Sequence, residues 1–172
     1  AFEPTVDMAK RAFVTGERHK KKLDKIINGQ KSGNEGTVFE KIPSTGGGLY
    51  STTNDLMHFA HMMLGNGRLG DVRILGRKCI EKMTSYQLHN VPDYCWGANE
   101  PDRGYGLGFD MRRGHAHTYS YGTYMHEGSG TCSLDIDPVE QLAVAWYVPF
   151  NKVDWVAEPL YNAQNIIWSG LI

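Results

Sequence analysis

The feature that most constrains this chain is a change of hydrophobic period near residue 104. Upstream, Leu56, Phe59, Ala60, Met63 and Leu64 recur at the spacing of one helix face. Downstream, Tyr105, Leu107, Phe109 and Met111 alternate with glycines, as a half-buried strand does. Apolar segments follow over Thr118 to His126, Thr131 to Ile136 and Gln141 to Val148, with an Asp137-Pro138 turn before the last. The links between them are too short for crossover helices, so the pattern predicts an antiparallel meander of about four strands. Val156, Leu160, Ala163, Ile167 and Leu171 then return to helical spacing after a possible Asp154 cap, which places a closing helix across one face of the sheet. Helices, then antiparallel strands, then a helix make the fold class α+β.

The earlier helix has clear ends. Ser51 or Thr52 can cap it, Asp55 suits its positive end, and Gly65-Asn66-Gly67 stops it. A second helix is expected from about Gly76 to Gln87, with Cys79, Ile80 and Met83 on one side. Thr37 to Ile42 is a short strand candidate before a tight turn at Ser44 to Gly48, and residues 89–103 look irregular. With 172 residues the chain can bury roughly two-thirds of its unfolded surface and needs no disulfide staple. Cys79, Cys95 and Cys132 are an odd number and contain no CxxC pair.

Charge excludes one class of function. The balance of 18 Lys+Arg against 19 Asp+Glu argues against bulk binding to nucleic acid or anionic lipid. Lys20-Lys21-Lys22 and Lys25 concentrate positive charge, but no aromatic residue interleaves them to stack a base, so they read as solvated surface. Gly29 to Gly36 reads as a polar loop. The longest apolar run, Leu142 to Phe150, is far short of the roughly 18 residues that cross a bilayer. Ala1-Phe2-Glu3-Pro4 has neither an initiator Met nor the shape of a signal peptide, and is expected to lie inside a longer polypeptide.

Three constellations could carry chemistry. Gly46-Gly47-Gly48 opening a helix suggests a phosphate loop, but it lacks the P-loop Lys and spacing, and a tight turn into a capped helix explains it. His58 and His61, three apart on a helix, and His115 and His117, two apart, could each chelate a metal; no carboxylate or Cys completes a ligand pattern, so no metal and no cofactor is expected. Tyr124 to Thr131 places His126 beside Gly128 and Gly130 between two apolar strands. There a ring nitrogen and unobstructed backbone N–H groups can meet a ligand, although an ordinary hairpin with a surface His fits the spacing equally well.

Taken together, Gly46-Gly47-Gly48-Leu49-Tyr50-Ser51-Thr52-Thr53-Asn54-Asp55-Leu56 with Phe59, Met62-Met63-Leu64 and Gly67 resembles a characteristic segment of the serine β-lactamase-related proteins. That group includes class C β-lactamases, low-molecular-weight penicillin-binding proteins, D-aminopeptidases and β-lactamase-like esterases. Arg73-Ile74-Leu75, Met83-Thr84, Tyr105-Gly106-Leu107-Gly108-Phe109, His126-x-Gly128-x-Gly130-Thr131 and Asp137-Pro138 follow in the family's order, so the resemblance spans about residues 40–150.

The resemblance implies the C-terminal part of a β-lactamase/transpeptidase-like fold, with residues 1–103 in its helical region and 104–172 in its α/β region. It implies an acyl-enzyme serine hydrolase acting on β-lactam, ester or D-amino-acid peptide substrates. In such enzymes an SxxK serine is the nucleophile, a YxN tyrosine shares proton transfer with the lysine, and an H-x-G or K-T-G triad lines the site. The chain contains no SxxK and no YxN, and its one SxN, Ser32-Gly33-Asn34, is out of order. What remains is the triad: His126 in its first place, Gly128 as its glycine, and Ser129, whose backbone N–H would donate to an oxyanion. The chain alone is therefore expected to be inactive, its nucleophile belonging to an N-terminal portion of the same protein. That portion, or a second copy, would cover a sheet edge left open. The alternative is a non-catalytic module binding a peptide or acyl ligand around His126.

Overall fold

The computed structural model describes residues 4–14, 16–30, 49–89, 103–112, 117–128, 132–148 and 160–171. The strand expected over 37–42, the turn at 44–48, the SxN tripeptide, Cys95, His115, Ser129, Asp154 and Val156 lie outside them.

Two short helices open the described chain, α1 (Val6–Arg11) and α2 (Glu17–Ile27). The Thr5 hydroxyl accepts from the Met8 N–H to cap α1. The lysine run lies on α2 with Lys20, Lys21 and Lys25 in solvent, and Leu23 supplies the buried side of that helix. The pair meets the rest of the molecule where Phe13 sets its edge against Tyr147, ring centres 6.1 Å apart, and where Lys22 Nζ lies 6.0 Å from the centre of the Tyr50 ring.

Helix α3 (Thr53–Leu64) starts where the sequence places it, with the Thr52 hydroxyl accepting from the Asp55 N–H at 3.1 Å. It stops at Asn66 and Gly67, whose φ values are 52° and 89°. Beyond it, Arg68–Leu69 (β1) and Val72–Arg73 (β2) pair through a tight Gly70-Asp71 turn that the periodicity does not announce. Helix α4 (Arg77–Met83) is shorter than expected, because Thr84 turns its hydroxyl onto the Ile80 carbonyl and Gln87 folds its amide back onto Ser85.

The sheet has five strands in the order β3-β4-β5-β6-β7, every neighbouring pair antiparallel: Arg103–Tyr105, Asp110–Arg112, Tyr124–Gly128, Cys132–Asp137 and Leu142–Tyr147. The α+β architecture and the meander are as the sequence implies. The fifth strand arises because residues 105–111 are not one strand. Gly108 takes φ +89°, the Gly106 N–H donates to the Phe109 carbonyl, and the chain folds into a hairpin pairing Tyr105 with Asp110. Leu107 consequently sits half exposed at the tip, while Phe109 and Met111 turn inward.

The two faces of the sheet differ. On one, Met111, Tyr124 and Ile136 pack against Ala60, Met62 and Met63 of α3 and Ile80 of α4, with Phe109 alongside. Burying a side chain such as Ile136 or Met63, both almost fully enclosed, contributes about 1.5–3 kcal/mol. On the other, β6 presents Ser133, Asp135 and Asp137, all buried, to helix α5 (Tyr161–Ser169). Helix α5 covers one face as expected, with Leu160 buried as the spacing implies, but beyond it the buried stripe departs from Ala163, Ile167 and Leu171. Leu160, Gln164 and Trp168 are its buried residues, Ile167 is only half-buried and Leu171 is exposed. The polar sheet face accounts for the rotation. Gln164 donates to Asp135 Oδ1 at 2.6 Å and Trp168 Nε1 to Asp137 Oδ2 at 2.8 Å, bonds that an all-apolar stripe could not make.

Candidate functional site

Strand β5 carries His126 and Gly128, and alternation decides which way each points. Met125 and Glu127 are buried on the α5 side, whereas Tyr124 and His126 lie on the α3 side. Tyr124 is enclosed, but His126 is exposed. The reason is the uneven register of the sheet around it. Strand β6 pairs with β5 along its whole length, from Tyr124–Ile136 to Gly128–Cys132, whereas the pairs with β4 stop at Met125. The described ladder with β4 thus ends at Met125, one residue before His126.

The His126 ring is held at both nitrogens. Nδ1 lies 2.8 Å from the Glu127 carbonyl oxygen, which can only accept, so Nδ1 carries the proton. In the neutral ring Nε2 is then an acceptor, and the Tyr105 hydroxyl donates to it at 3.0 Å. The two rings meet edge to face, with centres 6.2 Å apart. A ring nitrogen that accepts from a phenol in this way is an arrangement through which a proton can pass. Tyr105 is the residue that reading the sequence misses as functional. Its place in the alternating run marks it as a strand residue, and only the β3–β4 hairpin brings it to a histidine 21 positions away.

Gly128 is needed for space. A Cβ there would come within 2.7 Å of Cys132 Sγ, its cross-strand neighbour. Burial pushes the Cys132 thiol upward, partly offset by its hydrogen bond to the Gly128 backbone, so it remains a thiol near neutral pH. Glycine here keeps the strand surface flat and its backbone reachable. Ser129, expected to offer an oxyanion donor, follows directly in sequence but is outside the described residues.

This arrangement of helices, antiparallel sheet and covering helix is similar to that of a β-lactamase from Mycobacterium bovis, with a TM-score of 0.56 and 21% sequence identity, over 69% of this chain and 44% of that one. The fold is β-lactamase-like. The chain spans less than half the length of that structure, and no family profile and no curated protein sequence matches it.

Within this β-lactamase-like fold, three of the four histidines considered as metal ligands lie among the described residues. His58 and His61 are exposed on α3, and His117 stacks on Tyr119 at 4.8 Å and leans on Tyr161 at 5.3 Å. Among the described residues no group of three or more His, Cys, Asp or Glu is placed to hold a metal ion, and no helix is long and apolar enough to cross a membrane.

Proposed function

We propose that this chain is part of a serine hydrolase that works through an acyl-enzyme on β-lactam, ester or D-amino-acid peptide substrates. The His126-x-Gly128 strand lines its reaction centre, and the nucleophilic serine and its lysine lie in a segment outside these 172 residues. In this reading residues 1–103 belong to the helical region of the enzyme and 104–172 to its α/β region, and a strand from the remaining segment pairs with the outer edge of β7.

The observation that carries the reading is the Tyr105–His126 hydrogen bond on β5, just past the point where the ladder with β4 ends. A serine acyl-transfer site needs a strand edge to align the substrate, a proton carrier for the leaving group and backbone N–H groups facing the oxyanion. In this reading the first falls to β5 around His126 to Gly128, the second to the Tyr105–His126 pair, and the third to the backbone at Ser129. Each oxyanion donor is worth about 3–4 kcal/mol of transition-state stabilisation, so a half-built hole without its nucleophile gives almost no turnover.

The chain alone should neither hydrolyse nitrocefin or p-nitrophenyl acetate nor take up a fluorophosphonate. The protein that carries it together with an SxxK segment should acylate on serine. In that protein, His126→Ala and Tyr105→Phe should each lower kcat/KM by about a hundredfold, the typical worth of a positioned proton carrier. Fluorophosphonate labelling of a serine within this chain would overturn the assignment of the nucleophile. A longer protein that binds acyl-peptide ligands but never acylates would favour a binding module instead.

A further inference from the structure

A second concavity lies at the other end of β5, where α3 stops, α4 ends and the β6–β7 turn passes. Its volume is about 540 Å³, within the range of small-molecule sites. Met63 and Ile80 form its apolar floor, and Tyr86, His89 and Tyr121 supply rings around it. Tyr86 and His89 brace each other edge to face at 5.0 Å. It sits at the C-terminal end of α3, away from His126, and none of the residues assigned to acyl transfer lines it.

One group in it points to a ligand. Tyr124 lines the cavity with only 3% of its surface exposed, and its ring is held edge to face against Phe109 at 5.2 Å. Its hydroxyl makes no hydrogen bond to another described residue. The oxygen is not sealed from solvent, so in the cavity it is a donor that a bound molecule carrying an acceptor can engage in place of water. Burial pushes the Tyr124 hydroxyl up to about 12, so it stays protonated and can act as a donor.

The remaining lining narrows the ligand class. The Thr84 hydroxyl is already spent on the Ile80 carbonyl. Glu81, the carboxylate on the rim, is already paired with Arg77 and Lys78 on its own helix and so calls for no cation, and no Lys or Arg lines the cavity to hold an anion. We propose that this cavity is a binding site for a neutral, planar aromatic molecule that carries a hydrogen-bond acceptor for the Tyr124 hydroxyl.

Prodan, a neutral naphthyl ketone whose emission moves to the blue when its carbonyl leaves water, is a suitable probe. Titrated into the full chain it should bind saturably at one site with a blue shift, and more tightly than the anionic anilinonaphthalene sulfonate. Tyr124→Phe should weaken it about fivefold, the worth of one hydrogen bond, and diminish the carbonyl-dependent component of the shift. Tyr121→Ala removes a wall that is 55% exposed, where substitution spares the core, and should weaken binding as well. Absence of saturable binding, equal affinity for the anionic dye, or no weakening in Tyr124→Phe would each overturn the proposal. Should Tyr124→Phe not fold by circular dichroism, an unchanged affinity in Tyr121→Ala would overturn it instead.

Discussion

At His126 the chemistry is set by two oxygens, one from the next residue in the chain and one from a hairpin two strands away. The H-x-G spacing is legible in the sequence itself. The Tyr105 partner is not, because hydrophobic alternation reports which face of a strand is buried and says nothing about where a hairpin reverses. Gly128 shows the same division: the sequence suggests an unobstructed backbone, and the fold adds that Cys132 Sγ occupies the space a side chain would need. Gly128→Ala should therefore lower stability by about 1–3 kcal/mol, the usual cost of overpacking. The added Cβ meets a side-chain sulfur and not backbone, so Cys132→Ala in the same protein should restore most of the loss. Urea unfolding of both single variants and the double variant measures the coupling, and a double variant no more stable than Gly128→Ala would refute the contact.

Between elements, the docking of α5 depends on hydrogen bonds as much as on apolar contact. Asp137 accepts from Trp168 Nε1 and the Ser120 N–H at one oxygen, and from the Val139 and Glu140 N–H groups at the other. Burial alone would raise its pKa, but the hydrogen bonds from Glu140, Trp168 and Ser120 outweigh it and hold the carboxyl below the ordinary aspartate value. A carboxylate whose folded pKa is depressed stabilises the fold above its unfolded pKa and loses that contribution as pH falls through its folded value. Thermal stability should thus decline below about pH 4. Asp137→Asn should be less stable at neutral pH by about 2 kcal/mol and show a shallower acid slope, because its amide opposes N–H donors. Scanning calorimetry from pH 7 to pH 2.5 tests this, and parallel slopes for the two proteins would argue against it. The helix itself was readable from its period, and its rotation was not. Hydrophobic spacing selects Ala163, Ile167 and Leu171, whereas Ser133, Asp135 and Asp137 on the opposing strand reward Gln164 and Trp168.

For the whole molecule, the outer strands of the sheet are the main consequence. Strand β7 pairs only with β6 among the described strands, and its residues, Leu142–Tyr147, include no charge and no proline. Such an edge lacks the usual guards against strand pairing. The isolated chain should self-associate as concentration rises, and Tyr147→Lys, at the 46%-exposed end of β7, should shift it toward monomer. Sedimentation velocity over a concentration series reads this, and a monomer at every concentration would refute edge pairing. What the sequence determined by itself was the order and kind of the major elements after residue 50, the caps of α3, the antiparallel meander and the H-x-G strand, because each is written in local spacing or local chemistry. The tertiary structure decided the β3–β4 hairpin, the polar seat of α5, the Tyr105–His126 pair and the cavity beneath Tyr124. These arise between residues far apart in the chain, where the energy depends on which surfaces meet and periodicity carries no record of the partner.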